Sequence, residues 1–238
     1  MWANNPNAGC GSSNMTVESD RVISCGYRAF GQKSLFPSPA AHLIVGNHNM
    51  DTIRAFTRFK TEGLTVGRLL AAYADLEFSL FHCVNAVRDD FDTVFKVMFK
   101  ARGEKARIDM ADTLGRQKYR KIKLGTKFEM AISSLRYCLK IRNQYAHCLW
   151  YDDNSGNMAF TNLEEIADGN APITTSNLKS LTIHHVDNAT LSDQEAYFEY
   201  TDNLLMWLNN EGLRLAEKAT TPRKPAPKQL RRPPPHMQ

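Results

Sequence analysis

The chain has 238 residues, of which 42% are hydrophobic, a composition typical of globular proteins. No run of apolar residues approaches the roughly 18 to 20 that a membrane-spanning helix needs. Residues 1–14 have neither the basic nor the apolar part of a secretory signal. We therefore expect a cytoplasmic protein that is neither secreted nor inserted into a membrane.

The 30 Lys and Arg residues exceed the 25 Asp and Glu residues by only five, but the charges are strongly segregated. Residues 96–142 contain 14 basic and 4 acidic residues, whereas residues 143–221 contain 3 basic and 12 acidic residues. Such blocks predict either two faces that meet within a molecule or a dimer, or a basic surface for a polyanion. A solvated helix face is the remaining alternative.

The five cysteines are an odd number, include no C-x-x-C pair and accompany no secretory signal. A disulfide framework is therefore not expected. His82 and His147 each precede a cysteine, but neither pair belongs to an array with the spacing of zinc ligands. We expect ordinary buried thiols, and no metal or cofactor.

Composition divides the chain into three parts. Residues 1–50 are rich in Asn, Gly, Ser and Pro, which predicts a largely disordered segment with at most a short ordered piece at residues 42–45. Residues 222–238 are mostly Pro, Lys and Arg, which predicts a disordered, extended basic tail. Residues 51–221 form the predicted folded domain.

Four helices are predicted in the first part of this domain. Apolar residues at alternating spacings of four and three predict a largely buried helix over residues 69–87. Two more are predicted at residues 90–102 and 104–123, the latter highly charged. The apolar stripe of a fourth, over residues 126–150, contains an arginine at position 142.

The pattern changes after residue 150. Residues 151–161 contain Asn-Ser-Gly-Asn between short segments, which predicts a hairpin, and residues 178–186 predict a short strand. The last helix is predicted to open at Ser192, with Glu195 completing a capping box. The expected fold is mainly α: an up-and-down bundle of four to five helices with a small β-hairpin insertion before the last helix.

Arg142 is the first candidate for chemistry, because a guanidinium among apolar residues costs several kcal/mol unless it is paired or reaches a wet cleft. It is followed by Asn143 and, after four intervening residues, by His147, in the segment IRNQYAHCLWY. This segment resembles the R-x(4 to 6)-H signature of HEPN domains, in the form R-N-x-x-A-H followed closely by Trp150. The resemblance covers roughly residues 62–218.

The resemblance implies a homodimer of helical bundles, with the motifs of both subunits facing one cleft, and in active members a metal-independent endoribonuclease. Arg142 would hold the scissile phosphate, His147 would transfer a proton, and Asn143 would orient the histidine or the phosphate. Because the attacking 2′-hydroxyl belongs to the substrate, RNA would be cleaved and DNA would not. A toxin, phage-defence or stress-response setting, with an antitoxin protein as partner, fits this activity.

Helix geometry limits how the motif residues can act together. Asn143 and His147 are about 40° apart around a helix, whereas Arg142 and His147 are about 140° apart. One phosphate would therefore be reached by both only through a bent arginine side chain, a local distortion of the helix, or a second subunit.

Further residues are candidates for binding RNA or supporting the motif. Basic side chains before the motif could follow an RNA backbone, two aromatic rings could stack on bases or simply pack in the core, and one carboxylate could orient Arg142. These residues are Lys118, Arg120, Lys121, Lys123 and Lys127; Tyr145 and Trp150; and Glu77.

Several alternatives to the nuclease remain. A catalytically inactive HEPN-like bundle would bind RNA, a nucleotide or a protein partner, and an adaptor would dock its acidic residues 143–221 on a basic surface. At the level of single residues, His147 could cap carbonyls or pack on Trp150, and Arg142 could pair with one of the acids after residue 150.

Overall fold

The computed structural model describes residues 54–168, 182–216, 220 and 222–237. The predictions for residues 1–50, including the ordered piece at residues 42–45, lie outside the described residues. The helices and strands found are α1 (Arg54–Arg58), α2 (Lys60–Arg88), α3 (Phe91–Lys100), α4 (Glu104–Lys121), α5 (Gly125–Ala146), β1 (Cys148–Tyr151), β2 (Met158–Asn162), α6 (Leu163–Ala167), β3 (His184–Val186) and α7 (Asn188–Leu215).

Four long helices, α2, α4, α5 and α7, enclose the core. Ion pairs Arg142–Glu104 and Arg120–Glu129 join opposite ends of α4 and α5, so these two helices are antiparallel. Helices α2 and α7 run in the same direction, because hydrogen bonds connect residues 68 and 195 near their starts and residues 79 and 202 further along.

Two features show how closely these helices pack. The buried Tyr119 hydroxyl of α4 donates to the carbonyl of Cys83 in α2 at 2.6 Å and lies 3.2 Å from that of Leu208 in α7. At Gly115, a Cβ atom would lie 2.6 Å from Cζ of Phe128. A larger residue at position 115 would therefore require the Phe128 ring to move.

The starts of α3 and α7 are fixed by aspartate side chains. Asp90 accepts a hydrogen bond from the backbone N–H of Thr93, and Asp187 accepts one from Thr190. The predicted start of the last helix at Ser192 is therefore wrong, because the helix begins one turn earlier, at Asn188.

The helix predicted over residues 126–150 ends at Ala146. The next residues leave the helix and form β1, which pairs antiparallel with β2, with Cys148 opposite Asn162. Asn154 and Gly156 adopt positive φ angles of 65° and 93° in the connecting turn, which confirms the predicted hairpin. Strand β3 extends this sheet by pairing with β2.

The prediction of a mainly helical fold with a small β insertion before the last long helix is confirmed. No helix within the described ranges is long and apolar enough to cross a membrane. Residues 222–237 contain no helix or strand, and several of them contact α5 and α7, which the sequence did not predict.

Candidate functional site

The motif lies at the C-terminal end of α5. His147 is the residue at which the helix stops: its φ and ψ angles are −118° and 36°, and its N–H still donates to the carbonyl of Asn143. Its own carbonyl accepts from the N–H of Leu163, which ties the helix end to the start of α6. The motif histidine is thus held by the backbone on both sides, while its side chain remains free to point outward.

Arg142 is half-buried, with two partners. One guanidinium nitrogen, Nη2, lies 3.3 Å from Oε1 of Glu104 at the start of α4, and Nη1 donates to the side-chain oxygen of Asn143 at 3.0 Å. Its carboxylate partner therefore precedes the motif in the chain, rather than coming from the acidic residues after position 150. Asn143 orients the arginine in this arrangement.

Glu77 does not contact Arg142 directly. Its Oε2 accepts a hydrogen bond from Arg107 at 2.7 Å, and its side chain is 7% exposed. Burial raises the pKa of Glu77, while the hydrogen bond from Arg107 opposes that rise. The expected pairing of Glu77 with Arg142 is therefore replaced by two separate pairs, Glu77–Arg107 and Glu104–Arg142.

These two ion pairs and Tyr73 form a polar cluster between α2, α4 and α5. The Tyr73 hydroxyl, Oε1 of Glu77 and Nε of Arg107 are buried and have no hydrogen-bond partner among the described residues. Burial raises the pKa of Tyr73, and the charges of Glu77 and Glu104 raise it further. Glu104 and Arg107 were missed in the sequence, although both follow Gly103 on the first turn of a predicted helix.

His147 faces another element. Its side chain is 49% exposed, and Nε2 lies 3.9 Å from Oε1 of Glu164 on α6. An ion pair this long and exposed is weak, so the ring can move. Arg142 thus contacts α4 and His147 approaches α6; the chain does not direct both side chains to one partner.

The predicted RNA-binding lysines lie at the other end of α5. The last turn of α4 and the first turn of α5 carry them, and Lys123 between these helices has a φ of 62°. At 1.5 Å per residue, Gly125 and Arg142 are separated by about 26 Å along the helix. The structure therefore does not bring the lysines and the motif together.

The charges at this end are mostly free. Arg120 pairs with Glu129 at 2.6 Å, but the lysines at positions 118, 121, 123 and 127 form no ion pair within the part of the chain that is described. In the same residues, no ion pair joins the basic segment 96–142 to the acidic segment 143–221. Among these residues, ion pairs therefore do not support the alternative in which the two segments meet within one molecule.

The two aromatic candidates fit the packing alternative. Tyr145 is 2% exposed, and its hydroxyl donates to Oε1 of Gln194 at 2.7 Å. Trp150 is half-buried, with its ring 5.5 Å from that of Phe56 and 5.2 Å from that of Phe160. Tyr145 in particular is covered, so a base has no access to its ring.

No group of three or more His, Cys, Asp or Glu side chains in the described segments has the geometry to hold a metal ion. Cys83, Cys138 and Cys148 are free thiols, and burial raises the pKa of each to about 12. A thiol with such a pKa is a poor nucleophile at neutral pH. These three thiols are therefore weak candidates for catalysis.

Comparison with known proteins gave no match to a family model, to a curated protein or to a solved structure.

Proposed function

We propose that this chain is an endoribonuclease that cleaves RNA without a metal ion, by attack of the substrate's 2′-hydroxyl on the adjacent phosphate. The observation that carries the proposal is the end of α5, where a half-exposed histidine, His147, follows the Arg142–Asn143 pair by one turn. A toxin or phage-defence effector is the setting that fits such an activity.

The motif supplies the groups that this reaction needs. The guanidinium of Arg142 can bind two phosphate oxygens and stabilise the charge that develops on them. The imidazole of His147 can accept the 2′-hydroxyl proton or donate one to the departing 5′-oxygen.

RNA would have to displace Glu104 from Arg142. The Arg142–Glu104 pair is long, at 3.3 Å, and its two side chains are 26% and 31% exposed, so it is a weak competitor for a bidentate phosphate contact. Because Arg142 and His147 face different elements in one chain, we propose that one phosphate meets the arginine of one subunit and the histidine of another in a homodimer.

A second candidate function is RNA binding without cleavage. It is favoured by the two partners that Arg142 already has, Glu104 and Asn143. If these contacts persist when RNA binds, the guanidinium contributes to the position of the helices and does not reach the reacting phosphate.

The test is cleavage of a single-stranded RNA in EDTA by the purified full chain. We expect scission in EDTA, fragments that end in a 2′,3′-cyclic phosphate, and no cleavage of the DNA of the same sequence. His147→Gln should lower the rate by about 10²- to 10⁴-fold, the usual contribution of a general acid or base. Arg142→Lys should lower it about 10²-fold or more, because lysine keeps the charge but loses the bidentate geometry.

Matched controls come from an arginine of the same helix and from a histidine of strand β3. Arg136 lies on α5 and is exposed, with Asp109 as its partner at 2.9 Å, and His185 lies in β3, paired with Asp153 at 2.8 Å. Arg136→Lys and His185→Gln should retain the wild-type rate within about twofold. A His147→Gln protein that cleaves as fast as the wild type would reject the nuclease and leave RNA binding, measured separately, as the function.

A further inference from the structure

The C-terminal segment, residues 222–237, lies against the body in a groove between α5 and α7. We call this the tail groove; it is lined by Tyr137, Gln144, Tyr145, Gln194 and Tyr197. Most of residues 222–232 are exposed, Pro233 is buried, and residues 234–237 are half-buried.

The groove holds three successive proline carbonyls. The Tyr137 hydroxyl donates to the carbonyl of Pro233, and Nε2 of Gln194 donates to that of Pro234 at 2.9 Å. The carbonyl of Pro235 lies 2.8 Å from Nε2 of Gln144 and 3.0 Å from Nε2 of Gln194. Gln194 is fully buried, and its side-chain amide forms hydrogen bonds with these two carbonyls and with the Tyr145 hydroxyl.

The segment and the groove have complementary hydrogen-bonding groups. Proline has no backbone N–H, so a run of prolines offers acceptors only, and its fixed φ angle holds the chain extended before it binds. The groove offers hydroxyl and amide donors on an aromatic floor, with the rings of Tyr137 and Tyr197 at 5.6 Å. Aromatic grooves of this kind bind proline-rich peptides at little cost in chain entropy.

Further contacts lie on both sides of the prolines. Arg232 places its guanidinium 5.1 Å from the centre of the Tyr137 ring, and the Met237 N–H donates to the carbonyl of His185 at 2.9 Å. Near the start of the segment, Nε1 of Trp207 donates to the carbonyl of Lys224 at 2.8 Å.

Between these contacts the segment is not close-packed on the body. Open clefts of about 560 Å³ and 450 Å³ lie between it and the helices, the first beside Trp207 and the second beside Tyr197. Voids of this size do not occur in a protein core, but they are within the range of ligand pockets. The segment therefore contacts the body at separate points along an extended chain, as a bound peptide does.

We propose that the tail groove is a binding site for an extended proline-rich peptide and that residues 222–237 are its ligand, bound within the same chain and able to dissociate. The proposal does not depend on the nuclease activity, although two residues of the groove, Gln144 and Tyr145, lie between Asn143 and His147 in the chain.

The test begins with the full chain, carrying a specific protease site inserted between residues 218 and 219. The folded protein is cleaved with the protease. The released segment is then removed by dialysis, first against excess unlabelled peptide and then against buffer. A fluorescein-labelled peptide of residues 222–238 is titrated in, and its anisotropy is followed while circular dichroism monitors the helices. We expect saturable binding of one peptide per chain and an unchanged helical spectrum.

Changes in the peptide provide controls that cannot unfold the protein. Replacing Pro233, Pro234 and Pro235 by Ala should weaken binding at least tenfold, because the peptide becomes flexible and gains N–H donors that the groove cannot satisfy. In the protein, Gln194→Ala should weaken it at least tenfold and Tyr137→Phe several-fold, while Arg136→Ala leaves it unchanged. Equal binding of the alanine peptide, no binding by helical cleaved protein, or loss of the helices on cleavage would each overturn the proposal.

Discussion

Two buried tyrosines differ in what their hydroxyls do, and that difference predicts their contributions to stability. Tyr119 donates to the carbonyl of Cys83 and lies near that of Leu208, whereas the Tyr73 hydroxyl has no partner among the described residues. Tyr119→Phe should lower the free energy of unfolding by about 1 to 2 kcal/mol, because it leaves a buried carbonyl with one donor fewer. Tyr73→Phe should leave it unchanged or raise it. Urea unfolding at pH 7 measures both; equal losses would contradict the assignment of partners.

The sequence identified the motif residues but not their partners. Arg142, Asn143 and His147 stand close together in the chain, so their location at one helix end could be predicted from helix geometry. The pairs Glu77–Arg107 and Glu104–Arg142 join residues 30 and 38 positions apart. Which carboxylate meets which guanidinium depends on how α2, α4 and α5 pack, and the helix periodicity carries no information on that.

At the scale of elements, helix interiors were predictable and helix ends were less so. The apolar spacing that predicts α5 continues through Ala146 to Leu149, but the chain leaves the helix after Ala146. The competing strand is stabilised by ladder hydrogen bonds to residues 158–162, and Leu149 is exposed there. The stabilisation of the strand comes from residues beyond the helix, so a local sequence pattern could not predict where the helix ends.

The start of α7 gives a prediction for an element. Asp187→Ala should lower the free energy of unfolding by about 1 kcal/mol, because the cap of the Thr190 N–H is lost, whereas Ser192→Ala, at the start predicted from the sequence, should change it little. The hydrogen bond from the Thr190 backbone, and then that from its side chain, lowers the pKa of Asp187 below the ordinary 3.8. Urea unfolding measures both variants.

The same cap has a defined pH dependence. The unfolded chain binds a proton at Asp187 more readily than the folded chain, so the stabilisation is complete above the ordinary pKa of 3.8 and is lost as the pH falls through the lower, folded value. The difference between wild type and Asp187→Ala should therefore be constant from pH 7 to 5 and shrink below about pH 4. A difference that stays constant to pH 2.5 would show that the carboxylate does not cap the helix.

At the scale of the whole molecule, the net charge of five conceals two separate groups of basic residues. The five basic residues of segment 222–238 equal the entire excess, and this segment contacts the body mainly through proline carbonyls. The sequence could indicate an extended segment but not its binding groove, whose donors come from α5 and α7, about fifty residues apart. The lysines at positions 118, 121, 123 and 127, which form no ion pair with the described residues, instead lie at the far end of the α4–α5 hairpin.

These lysines predict how RNA binding depends on salt. If RNA follows α5 from the lysine end to the motif, Lys121 and Lys123 each contact a phosphate, and each contact contributes about 0.7 to the slope of log K against log salt for a single strand. Lys121→Gln with Lys123→Gln should therefore reduce the magnitude of this slope by about 1.4 and weaken binding most at low salt. Fluorescence anisotropy with labelled RNA between 50 and about 300 mM salt measures the slope. Lys60→Gln with Lys96→Gln removes the same charge elsewhere, at the start of α2 and in the middle of α3, and should leave the slope near that of the wild type. Equal slopes for the two double variants would show that net charge alone attracts the RNA and that its path does not cross the lysine end of α5.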